Sequence, residues 1–166
     1  MYEIHEKFMK EALKEAKKAF EEEEVPVGAV LVYENKIIAR GRNSVEKLQD
    51  GTAHAEMLCL SAALSSFPSW RLTGATLYCT LEPCSMCAGA LFASRCSKLV
   101  WGAKDLRVGA NGSWVDLFSQ KHPIHTVEII SGILAEESSE LLKLFFQKQR
   151  QKKNADKKRS LIESDD

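Results

Sequence analysis

The sequence has no surplus of either charge, with 23 Lys and Arg against 23 Asp and Glu in 166 residues, and this argues against a uniformly basic nucleic-acid binder. It also lacks any apolar run near the ~18 residues of a membrane helix. The first twenty residues, MYEIHEKFMKEALKEAKKAF, interleave Lys and Glu where a secretory leader is apolar, so the expectation is a cytoplasmic protein with no membrane partner. Cysteine is sparse and odd in number, at 5, and in a reducing compartment such residues read as thiols, metal ligands or core filler rather than bridges. No internal repeat and no interdomain linker interrupts the chain. What is present is ample apolar residue: at 45% hydrophobic and this length, a chain buries roughly 70% of its unfolded surface and needs no disulfide staples. One domain over 1–150 is expected, followed over 151–166 by a basic-then-acidic tail that is free to be flexible.

Periodicity divides the domain into elements. Phe8, Leu13, Ala16 and Phe20 share a face with Lys and Glu between them, the spacing of an amphipathic helix that Glu21 to Glu24 should end. Val27–Tyr33 and Lys36–Arg40 read as a hairpin around a Glu34-Asn35 turn. Ala53–Ser65 has the make-up of a buried helix. Strand, helix and strand signals then recur over Ala75–Leu81, Cys84–Ser94 and Lys98–Gly102, an alternation that implies a parallel βαβ unit in a mixed sheet. A Gly-containing loop over Val108–Trp114 leads to a short strand at Thr126–Ile130 and a last helix from about Leu134 to Gln149.

Two strings carry the chemistry: Thr52-Ala53-His54-Ala55-Glu56 and Glu82-Pro83-Cys84-Ser85-Met86-Cys87. On a first helical turn, Cys84 and Cys87 lie only about 60° apart, near enough to grip one ion. A helix N-terminus lowers thiol pKa values, so both can bind as thiolates, and Pro83 suits a helix start. His54 makes a third ligand, and two thiolates with one imidazole neutralise a zinc ion while leaving a fourth position open. Water held there ionises near pH ~7, the mark of a catalytic rather than a structural site. Glu56 follows His54 by about 200° on a regular helix, so both face one site only if His54 stands at the helix start, outside helical dihedrals. Glu56 is then the proton shuttle, with a pKa raised by burial. A closed structural zinc site would need a fourth ligand from Cys59, Cys79, Cys96, His122 or His125. Cys79 and Cys59 read instead as small core residues, and the two histidines flank Pro123 in a loop.

These strings resemble the cytidine/deoxycytidylate deaminase superfamily, and within it the bacterial tRNA adenosine deaminases. The resemblance runs from about Phe8 to Arg150 through Val25-Pro26-Val27-Gly28-Ala29-Val30, Gly41-Arg42-Asn43, Thr80-Leu81-Glu82-Pro83-Cys84, Gly102-Ala103-Lys104-Asp105 and Gly132-Ile133-Leu134. It implies a three-layer α/β/α sandwich around a five-stranded mixed sheet, a homodimer, one zinc ion per subunit on His54, Cys84 and Cys87, and Glu56 as acid/base. The implied reaction is hydrolytic deamination of adenosine to inosine at the tRNA wobble position, with zinc-bound hydroxide attacking C6 in the anticodon loop. By position, Asn43 would hydrogen-bond the flipped base, Val27 would pack on its face and Asp105 would contact the ribose.

In the last helix, Phe145-Phe146 precede Gln147-Lys148-Gln149-Arg150, an aromatic and cationic pairing suited to an unpaired base and its phosphates, with at least one Phe in the core. The family usually carries a denser arginine cluster here, and Pro where this chain has Gly51. Trp70, Trp101 and Trp114 are too dispersed for a platform and read as core or interface residues. Two other functions fit the same strings: a deaminase of a free base or nucleotide such as guanine or cytosine, and a non-catalytic RNA-binding module with structural zinc. Net neutrality is itself a sum of opposed segments. Lys148, Arg150, Lys152, Lys153, Lys157, Lys158 and Arg159 meet only Asp156, while acids gather in the first 24 residues and at Glu163, Asp165 and Asp166.

Overall fold

In the computed structural model, residues 2–163 are described, with side chains described to Ser160; Asp165 and Asp166 lie outside that range. The chain runs α1 (Tyr2–Glu21), β1 (Gly28–Tyr33), β2 (Lys36–Arg42), α2 (Val45–Leu48), α3 (Ala55–Leu64), β3 (Thr76–Leu81), α4 (Ser85–Ala93), β4 (Lys98–Ala103), β5 (Glu128–Ser131) and α5 (Ala135–Glu163). The strands form one sheet in the order β2-β1-β3-β4-β5. β1 is antiparallel to β2 and β3, while β3, β4 and β5 run parallel, so the expected mixed sheet and βαβ unit are both present.

Strand alternation explains the layers. Val30, Val32, Tyr78 and Val100 point to one face and meet Phe8, Met9 and Ala12 of α1. Their neighbours Ala29, Leu31, Leu77, Cys79, Leu99 and Trp101 point to the other, where Ala55, Cys59 and Leu60 of α3 and Leu91 and Phe92 of α4 cover them. Both faces are buried, which is why these strands read as nearly continuous apolar runs. The hairpin turns on Glu34 and Asn35, at φ 47° and 60°, the left-handed pair that a two-residue turn of this hand requires. A bulge between Leu31 and Val32 shifts the register toward that turn.

The last helix differs from expectation. α5 does not stop near Gln149 but continues to Glu163, and no break marks the expected boundary at 150. Its continuation contains neither Gly nor Pro, and its Lys, Arg, Gln and Ala residues are good helix formers. Of the three tryptophans only Trp101 is buried; Trp70 and Trp114 are 55% and 64% exposed. Among the described residues no helix is long and apolar enough to cross a membrane.

Candidate active site

Parallel β3 and β4 deliver their C-terminal ends to one edge of the sheet, and the starts of α3 and α4 meet there. His54 is the N-cap of α3, at φ −74° and ψ 152°, and Cys84 is the N-cap of α4, at φ −73° and ψ 173°. Both are extended, as the pairing of His54 with Glu56 demands. Gly41 on β2 lets α3 come this close, since a Cβ there would run into the Ala55 carbonyl and the Cys59 amide.

His54 Nδ1 lies 3.6 Å from Cys84 Sγ and 3.7 Å from Cys87 Sγ, and the two sulfurs are 3.7 Å apart. A tetrahedral zinc ion with bonds of about 2.3 Å to sulfur and about 2.0 Å to nitrogen sets its ligands about 3.8 Å apart for S···S and about 3.5 Å for S···N. The triangle therefore has the dimensions of three corners of such a site. No fourth His, Cys, Asp or Glu among the described residues joins it within 4.8 Å. Cys59, Cys79 and Cys96 are core residues. His122 stacks on Phe92 at 4.3 Å, and His125 Nε2 sits 2.7 Å from the Cys96 carbonyl.

The converging helix N-termini favour negative charge at the sulfurs. Hydrogen bonding from the Cys87 thiol and from His54 pulls the Cys84 thiol down to about 4. The bond to Cys84, together with burial, holds the Cys87 thiol up. Hydrogen bonding to Cys84 raises His54. Burial raises Glu56.

Above the triangle opens a cavity of about 720 Å³, within the range of small-molecule sites. Val27, Asn43, His54, Glu56, Cys84, Asp105 and Phe145 all line it, so residues from six parts of the chain share one space. Asn43 is buried, and its main-chain N–H donates to the Val27 carbonyl at 3.0 Å. Phe145 is 5% exposed, its ring edge against Phe20, and Phe146 beside it lies under the Arg107 guanidinium at 5.7 Å.

Acidic residues crowd this wall, and several are engaged internally. Glu24 accepts the Glu46 and Lys47 amides at 3.2 and 2.6 Å, fixing the turn after Asn43, and Glu23 pairs with Lys152 of α5. Glu82 takes backbone donors from the loop after β4. The roles of Glu24 and Glu82 are not legible in the sequence, because their partners are chosen by the fold.

A metal triad at two helix starts, with a buried carboxyl beside it and a cavity above, defines a metal-dependent hydrolytic enzyme. Residues 2–103 match the cytidine and deoxycytidylate deaminase zinc-binding region, and the chain belongs to that family. It is 50% identical over 153 residues to the tRNA-specific adenosine deaminase of Bacillus subtilis, covering 92% of this chain and 95% of that protein. It is also 50% identical over 160 residues to the chloroplastic tRNA(adenine(34)) deaminase of Arabidopsis thaliana, covering 87% of this chain but spanning only 12% of that much longer protein. A solved structure from work on A-to-I editing by tRNA:A34 deaminases at the wobble position superposes with a TM-score of 0.78 at 46% identity, over 81% of this chain and 98% of that one.

Proposed function

We propose that this protein is a cytoplasmic, homodimeric enzyme that hydrolyses the wobble adenosine of a tRNA to inosine, consuming water and releasing ammonia. The observation that carries the reading is the ligand triangle, sized for zinc, on the floor of a cavity that Glu56 also lines. His54, Cys84 and Cys87 would hold the ion, which supplies the Lewis acidity that lets water ionise near neutral pH. Glu56 is placed to take a proton from a water at that site and pass it to N1 of the adenine, and then to carry a second proton, from the new C6 hydroxyl, to the departing amine. Asn43 offers both a donor and an acceptor to the purine edge, and Val27 packs on the ring face. Asp105 meets the ribose. Phe145 and the basic residues of α5 face the unpaired bases and phosphates of the anticodon loop.

Ammonia release tests this reading against the small-substrate alternative. The zinc-loaded protein should release ammonia from tRNA and not from guanine, cytosine or cytidine. Glu56→Ala should lose turnover by about 10²-fold or more while keeping zinc and tRNA affinity. Release from a free base, or an active Glu56→Ala, would count against it.

A further inference from the structure

Glu82 stands between the end of β3 and Cys84, and it is 2% exposed. A carboxylate buried so deeply requires full hydrogen bonding. All its donors come from one distant segment. Oε2 accepts the Asp105 amide at 3.1 Å and the Ser113 hydroxyl; Oε1 accepts the Asn111 amide at 2.9 Å and the Ser113 amide at 3.2 Å. Gly109 lies inside the same segment, where a Cβ would run into the Glu82 carboxyl. The main chain is tied at the same place, with the Ala110 amide on the Pro83 carbonyl at 2.8 Å and Gly109 bridged to Cys84. This segment supplies Asp105, Arg107 and Val108 to the cavity wall.

We infer that Glu82 is a positioning residue that sets the 105–113 wall at a fixed distance from the metal-bearing turn and so determines how the substrate nucleotide is held. The inference rests on the deaminase reading for what the wall contacts, but the clamp stands on the hydrogen bonds alone. Each carboxylate oxygen meets two donors, and since only the Ser113 hydroxyl can reverse and accept, an amide in its place must turn its NH2 against at least one backbone amide. Glu82→Gln keeps the volume and breaks the clamp at one backbone amide or more. The loop then orders only when substrate binds, which weakens binding while leaving the chemistry intact once substrate is bound.

The test compares wild type, Glu82→Gln and Ser113→Ala on an adenosine-containing anticodon stem-loop, with zinc content and amide exchange measured on the protein alone. In Glu82→Gln, KM should rise about ten- to hundred-fold with kcat within about threefold. Zinc should be retained and exchange in 105–113 should accelerate. Ser113→Ala should shift KM and exchange the same way by less, and it serves as the test if Glu82→Gln does not fold. An unchanged KM, a loss confined to kcat, or undisturbed exchange in 105–113 would overturn the inference. A wild type that makes no inosine would count against the proposed function instead, and the exchange pattern would then judge Glu82 by itself.

Discussion

Two imidazoles show how neighbours set the behaviour of a single residue type. His54 is raised by its hydrogen bond to Cys84, whereas His5 is lowered by burial, with the cation of Lys98 acting the same way and Glu128 opposing it. His5 packs beside Tyr78, its Nδ1 3.0 Å from the phenol oxygen. Its folded pKa lies below the ordinary 6.5, so over that window the unfolded chain binds more protons and stability rises with pH. Thermal stability should therefore fall as pH drops from 7 through 6.5 and below, and His5→Gln should flatten that slope. Equal slopes for the two proteins would sink the assignment. Among single residues, those defined by spacing were legible: Cys84 and Cys87 by their interval, His54 by the ion they leave incompletely bound, Glu56 by the helix geometry it imposes on His54. Glu82 was not, because nothing near it in sequence indicates that Asp105, Asn111 and Ser113 would turn their amides toward it.

At the level of elements, the start of each helix was harder to place than its existence. The expected spans of α3 and α4 begin one or two residues early; the non-helical start required of His54 is met, and Cys84 too is a cap rather than a helical residue. Caps keep extended dihedrals, which lets both side chains turn toward one point. α5 runs past its expected end, since a polar, uniformly helix-favouring stretch carries no periodic apolar signal to announce that it continues. The cavity-lining stripe of this helix, Phe146, Gln149 and Lys153, comes round again at Lys157. The basic run thus extends from the cavity mouth. Residues 151–160 are exposed, so deleting 151–166 should leave the fold intact. It should weaken tRNA binding and reduce the salt dependence of log Kd by about one for each phosphate contact removed. Unchanged affinity and an unchanged salt slope would show a merely solvated run of charge.

For the whole molecule, the alternation of strand and helix signals foretells the mixed sheet. What it could not give is the convergence itself. Val27, Asn43, Glu56, Asp105 and Phe145 reach one cavity only because β1 lies beside β3 and α5 returns across the sheet. Within the neutral total, acids on the cavity wall, some tied up by backbone amides and Lys152, stand beside a basic run on α5. This distribution suits a substrate that brings a neutral base into the cavity and its phosphates along α5. A mass-spectrometric nucleoside profile of tRNA before and after incubation with the zinc-loaded protein decides the matter. It should show adenosine at the wobble position replaced by inosine, with no other nucleoside altered. A folded, zinc-bound protein that leaves every tRNA of its source cell without added inosine would contradict the proposed function outright.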